Sequence, residues 1–136
     1  MNRRKAREYV LQMLFQREFS GGKEECRVPD DFWQYKEEAG DAGGFAERIV
    51  KGTLEHMEEI DGVIQRAAEH WDVKRMAAVD RNILRFAVYE ILYATDIPPA
   101  VTINEALEIA KKYSSLESAS FINGLLDKIA GESRQQ

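Results

Sequence analysis

The segment from Met76 to Ala94 constrains this chain more than any other. Met76, Val79, Ile83, Leu84, Phe86, Ala87, Val88, Ile91 and Leu92 crowd into it. At roughly 100° per residue, these side chains leave no broad polar face. A helix that is apolar on nearly every side must be surrounded by other elements. Pro98-Pro99 forbids its continuation, because proline lacks an N–H and disfavours helical backbone in the residue before it. The chain therefore needs a central helix ending ahead of these prolines, and a shell around it.

The shell also reads as helical. In residues 3–19, Ala6, Tyr9, Val10, Met13 and Leu14 recur at i, i+3, i+4, i+7, i+8 and make one apolar stripe. Arg4, Arg7, Leu11 and Phe15 fall off that stripe and are expected to point away from it. Ser20-Gly21-Gly22 ends the helix. Residues 21–44 are the least patterned. A short helix after Val28-Pro29-Asp30-Asp31 would be anchored by Phe32, Trp33 and Tyr35, and Gly40-Asp41-Ala42-Gly43-Gly44 reads as a loop. Residues 45–69 return to helical period, with a break or kink expected at Asp61-Gly62, since glycine costs about 1 kcal/mol inside a helix. Trp71-Asp72-Val73 reads as a linker. Thr102-Ile103-Asn104-Glu105 and Ser114-Ser115-Leu116-Glu117 each match a capping box, Ser or Thr followed three residues on by Glu. They place helix starts there. Ile122, Leu125, Leu126 and Ile129 line the inner face of the last helix. The fold class is all-α.

Composition excludes several function classes. The one cysteine, Cys26, forms no internal disulfide, and His56 and His70 have no partners at metal-ligand spacing. A reducing, cytoplasmic setting fits. No apolar run is long enough to span a bilayer, and the basic start is not followed by the apolar stretch of a signal peptide. Gly-rich phosphate loops, a Cys/His nucleophile pair and an HExxH motif are all missing from the sequence, so no enzyme is expected and no cofactor is implied.

Charge is unevenly spread. The chain carries −5 overall, yet residues 1–20 hold five basic and two acidic side chains. Arg3, Arg4, Lys5 and Arg7 sit at a helix N-terminus, where cations oppose the macrodipole by about 0.3–1 kcal/mol each. A cluster kept in an unfavourable place points to phosphate contacts; a solvated helix start is the alternative. Leu11 and Phe15 off the core stripe fit either a partner contact or burial against another element. Phe121, at the edge of the last helix's stripe, reads first as core. Lys111-Lys112 reads as a solvated helix end, where cations suit the dipole.

Several blocks of residues, in order, resemble the NusB family. Arg3-Arg4-Lys5-Ala6-Arg7 with Leu11-Gln12-Met13-Leu14-Phe15 is similar to its first helix. Val79-Asp80-Arg81-Asn82-Ile83-Leu84-Arg85 with Tyr89-Glu90 is similar to its central helix. Asp96-Ile97-Pro98-Pro99-Ala100-Val101-Thr102-Ile103-Asn104-Glu105-Ala106 and Phe121-Ile122-Asn123-Gly124-Leu125-Leu126-Asp127-Lys128-Ile129 are similar to its proline turn and terminal helix. The resemblance implies two small helical bundles, about seven helices in total, in one RNA-binding domain with halves 1–72 and 73–136. It implies binding to the boxA element of ribosomal RNA leader transcripts. It also implies pairing with the small-subunit ribosomal protein NusE in an antitermination complex on RNA polymerase. Position by position, Arg3, Arg4, Lys5, Arg7 and Phe121 fall on RNA-contacting positions, and Phe15, Asp80 and Glu117 on partner positions, Glu117 doubling as a helix cap. Phe15 lacks the hydroxyl of the tyrosine often found there, and Ser118-Ala119-Ser120 is less charged than in some relatives. A similar domain fronts some ribosomal RNA methyltransferases; with no Gly-rich cofactor motif before Gln136, the stand-alone factor is the expectation. A helical interaction module without RNA is a further alternative. Both monomers and homodimers fit the resemblance.

Overall fold

A computed structural model of the protein describes residues 3–19 and 41–134. Among them are six helices: α1 (Arg3–Phe19), α2 (Asp41–Glu55), α3 (Met57–Ala68), α4 (Ala78–Tyr93), α5 (Pro99–Tyr113) and α6 (Leu116–Arg134), with a 3-10 turn at Val73–Arg75 between α3 and α4. The fold is all-α, as expected. The short helix expected after Val28, with Phe32, Trp33 and Tyr35, lies outside the described residues, as do Cys26 and the Ser20-Gly21-Gly22 stop.

The apolar segment forms α4, and α4 packs against all five other helices. Ile83, Leu84, Phe86, Ala87 and Val88 have no exposed surface. Burying each large side chain contributes about 1.5–3 kcal/mol, and truncating Phe86 to Ala would cost about 3–5 kcal/mol. The buried apolar residues form one contiguous core fed by elements from before and after residue 72. On the α2 side, a Cβ built on Gly52 would lie 2.1 Å from Tyr89 Cζ. Only glycine lets α2 approach the Tyr89 ring, which itself stacks with Tyr93 and His56.

Local expectations needed four corrections. The break after α2 falls at His56, not at Asp61-Gly62. Gly62 continues the helix, because about 1 kcal/mol of propensity is small beside the packing of Ile60 and Ile64, both fully buried. The glycine run is not a loop from Asp41 onward: α2 starts there, with Asp41 complementing the dipole and Ala42 and Gly43 buried. Helix α5 starts at Pro99, not at a Thr102 cap. Proline suits the first helical position, where no N–H partner is needed, and Thr102 is turned inward. The cap of α6 is Ser115, one residue past Ser114, and its Oγ accepts the Ser118 N–H at 2.9 Å. Glu117 is therefore not a cap; it sits in the first turn, where its charge suits the dipole.

Two polar clusters tie α1 to α4. Arg7 forms a two-pronged pair with Glu90, Nε to Oε2 at 2.9 Å and Nη2 to Oε1 at 2.7 Å, and Thr102 Oγ1 donates to Glu90 Oε1 at 2.8 Å. The second cluster joins three helices. Arg85 grips Asp61 of α3 (Nε to Oδ1, 2.8 Å) and Glu18 of α1 (Nη1 to Oε1, 2.8 Å), while Arg81 donates to Glu18 at 2.6 Å and to the carbonyls of Val73 and Met76. Burial alone would raise the Glu18 carboxyl, but hydrogen bonds and charge from Arg81 and Arg85 outweigh it and hold Glu18 below its ordinary value.

Candidate functional site

The first turns of α1 expose Arg3, Arg4 and Lys5. Arg3 lies over the Phe45 ring at 4.5 Å. Arg4 donates to Glu105 of α5 at 2.5 Å, with nearly half of its side chain exposed. An exposed pair of this kind is screened by solvent and holds weakly, so an incoming phosphate can displace Glu105. Arg7 does not join them. It is 1% exposed and spent on Glu90, which corrects the expectation that it points outward to meet phosphate. Leu11 is likewise buried. The reason is shared: α1 packs on α2 as well as α4, so its buried arc is wider than one stripe.

Asp80, Glu117 and Phe121, far apart in sequence, line a single cavity of about 300 Å³ together with Trp71, Arg75, Met76, Ala77 and Ser118. The α4 start brings Asp80, and the capped start of α6 brings Glu117 and Phe121. Phe121 is half-buried and meets Trp71 edge to face, ring centroids 5.9 Å apart. Trp71 is 63% exposed. Asp80 is 9% exposed; its Oδ2 accepts from Ser118 Oγ at 2.9 Å, while Oδ1 is buried with no donor among the described residues.

Phe15 occupies a neighbouring groove, mostly apolar, with Glu8, Leu11, Gln12, Val79 and Tyr113. The two hollows share the first turn of α4, at Val79 and Asp80. Phe15 stacks obliquely on Phe19 at 4.7 Å, and Phe19, Tyr113 and Leu116 are exposed. Sequence reasoning missed Trp71 and Arg75, reading the first as part of a linker. The available signal was a large aromatic set in a polar stretch with no helical stripe to bury it.

Among the described residues, no group of His, Cys, Asp and Glu could hold a metal, and no helix is long and apolar enough to cross a membrane. A helical scaffold carrying a basic helix start, an aromatic cavity and an apolar groove defines a macromolecule-binding protein. Comparison with known proteins sharpens this. The NusB family model matches residues 4–131. The transcription antitermination protein NusB of Thermodesulfovibrio yellowstonii is 51% identical, covering 97% of this chain and 93% of its own length, and that of Desulfitobacterium hafniense is 51% identical over 95% and 88%. The solved T. maritima NusB superposes with a TM-score of 0.82 at 41% identity, over 97% and 92% of the two chains. A chain from a crystal structure of NusB and NusE with double-stranded RNA superposes with a TM-score of 0.79 at 27% identity, over 96% of each. The chain belongs to the NusB family, a family of transcription antitermination factors and not of enzymes.

Proposed function

We propose that this protein binds the boxA RNA of ribosomal RNA leader transcripts in the cytoplasm, jointly with the ribosomal protein NusE, and promotes processive transcription by RNA polymerase. The observation that carries this reading is the match, over 96% of both chains, to a NusB solved with NusE and RNA. The surface chemistry agrees with it. Arg3, Arg4 and Lys5 would hold phosphates and set the register, and Phe121 would meet a base. Phe15 and its apolar groove would face the ribosomal protein. Asp80 and Glu117, assigned by resemblance to that partner, lie beside Phe121 and so where the two surfaces meet. Arg7 acts at one remove, by fixing α1 to the core.

The test is a fluorescence titration of a short boxA RNA at two salt concentrations, with and without the ribosomal protein. Each phosphate neutralised in single-stranded RNA contributes about −0.7 to the slope of log K against log salt, so three cations give a slope of about −2. Replacing Arg3, Arg4 and Lys5 together with Ala should flatten it, and NusE should raise the affinity. A salt-independent titration that NusE leaves unchanged would overturn the reading.

A further inference from the structure

We infer that the Val73–Arg75 turn is a second phosphate-binding site, where Lys74 and Arg75 hold the backbone of a single-stranded RNA. The inference rests on the RNA-binding reading above and adds to it two cations on a different element from α1.

Three observations converge on the turn. First, its cations are free. Lys74 and Arg75 are both exposed and have no ion pair among the described residues. Cations elsewhere on the surface commonly face a carboxylate, as Arg48 faces Asp96, Lys112 faces Glu8 and Lys128 faces Glu69. Arg75 lines a cavity with Asp80 and Glu117 yet pairs with neither. Second, the turn is fixed in place. Arg81 Nη1 donates to the carbonyls of Val73 at 3.0 Å, Lys74 at 3.3 Å and Met76 at 2.7 Å. Gln65 of α3 donates to Trp71 O at 2.7 Å and accepts from Val73 N–H at 3.0 Å. The nearest carboxylate in sequence, Asp72, accepts the Lys74 backbone N–H at 3.0 Å. A backbone ordered before binding loses little further freedom when a ligand arrives. Third, the turn continues a surface already read as RNA-binding. Arg75 shares its cavity with Phe121, whereas the apolar groove around Phe15 includes neither Lys74 nor Arg75.

The turn stands well apart from the basic start of α1. Arg81 bonds both the turn and Glu18, and Glu18 lies fourteen residues along α1 from Arg4, about 21 Å of helix. A strand of about 12 nucleotides spans about 37 Å at about 3.4 Å per stacked nucleotide, so one RNA can reach both sites. The consequence is countable. Each phosphate neutralised in a single strand contributes about −0.7 to the salt slope. Arg3, Arg4 and Lys5 alone give about −2; with Lys74 and Arg75 the slope becomes about −3.5.

The test titrates the full chain with a boxA RNA of about 12 nucleotides over a salt series. Wild type should show the steeper slope, and Lys74→Ala with Arg75→Ala should return it to about −2. With equal affinities at about 1 M salt, that difference amounts to about tenfold weaker binding at about 200 mM. Lys74→Arg with Arg75→Lys, which keeps both charges, should retain the wild-type slope. Arg66→Ala is the control: Arg66 is also exposed and without an ion pair, but it lines a hollow at the other end of α4 with Leu92 and Tyr93, and its loss should leave the slope unchanged. A wild-type slope of about −2 that the double Ala variant does not alter would overturn the second site and leave the RNA reading intact. An equal flattening in Arg66→Ala would assign the effect to net charge and overturn the site. Weakened NusE binding in the double Ala variant, with RNA binding unchanged, would assign the turn to a protein partner and overturn it as well. Failure of the wild type to bind the RNA at any salt concentration would remove both readings together.

Discussion

Replacing Arg7 with Ala should unfold this protein before it affects any phosphate contact. Glu90 has no exposed surface, and its three side-chain hydrogen bonds among the described residues come from Arg7 twice and Thr102 once. Arg7→Ala removes two of the three and leaves a carboxylate uncompensated in the core. Breaking a buried pair by deleting one partner costs about 3–5 kcal/mol, a large share of the roughly 5–15 kcal/mol that holds a domain together. For a chain of this size, at about 3 °C per kcal/mol, the melting temperature should fall by about 10–15 °C. The assay is urea and thermal unfolding followed by far-ultraviolet circular dichroism. A triple variant, Arg7→Met with Glu90→Leu and Thr102→Val, deletes the whole polar cluster and should stay within about 2 kcal/mol of wild type or exceed it, since apolar replacement of a complete buried pair is often neutral or stabilising. The triple variant should also keep the wild-type salt slope on RNA. An Arg7→Ala protein within 1 kcal/mol of wild type, or a triple variant with a flattened slope, would refute the reasoning.

Three further variants probe the scaffold. Ser115→Ala removes the cap of α6 and should cost about 1 kcal/mol, measured as a shift in urea midpoint; Ser114→Ala should be silent. Gly52→Ala drives a methyl into the Tyr89 ring and should destabilise by about 1–3 kcal/mol, read by thermal unfolding. Glu18 is held below its ordinary value, so its stabilising contribution is complete at neutral pH and is lost as pH falls below the ordinary glutamate value of about 4.3. Wild type should therefore exceed Glu18→Gln in urea midpoint at pH 7, and the gap should narrow steadily as pH falls below that value; a gap that stays constant with pH would count against the Arg81–Glu18–Arg85 cluster.

The architecture was largely legible because periodicity reports it directly. A segment apolar on nearly all sides could only become the central α4, and the prolines at 98 and 99 marked the end of that run. What stayed hidden was carried by groups whose partners are distant in sequence. Arg7 looks like its neighbours Arg4 and Lys5 until Glu90, eighty-three residues away, is brought beneath it. Arg81, Arg85 and Glu90 break the apolar pattern of α4, and a one-dimensional reading has no means of pairing them with Glu18, Asp61 and Arg7. The helix caps were misplaced for a related reason. Thr102 satisfies the capping pattern in sequence, but a buried carboxylate competes for its hydroxyl and wins. For the candidate site, Asp80, Glu117 and Phe121 line one cavity while the other five residues suggested by resemblance do not, and Trp71 was invisible because an exposed aromatic has no period.

The two polar clusters have a consequence for how binding events can influence one another. Arg7 fastens the front of α1 to the end of α4, and Glu18 fastens the back of α1 to its beginning. Between these clamps α1 runs antiparallel to α4 for eleven residues, about 16 Å of helix. A helix pinned at both ends to one rigid neighbour has no second arrangement to switch into, and a relay between sites requires such a two-state element. Any cooperativity between RNA near Lys5 and a protein near Phe15 must then come from direct contact between the two ligands across a common rim. It should persist in variants that stiffen the core, and it should vanish when the partner is trimmed of the groups that touch RNA.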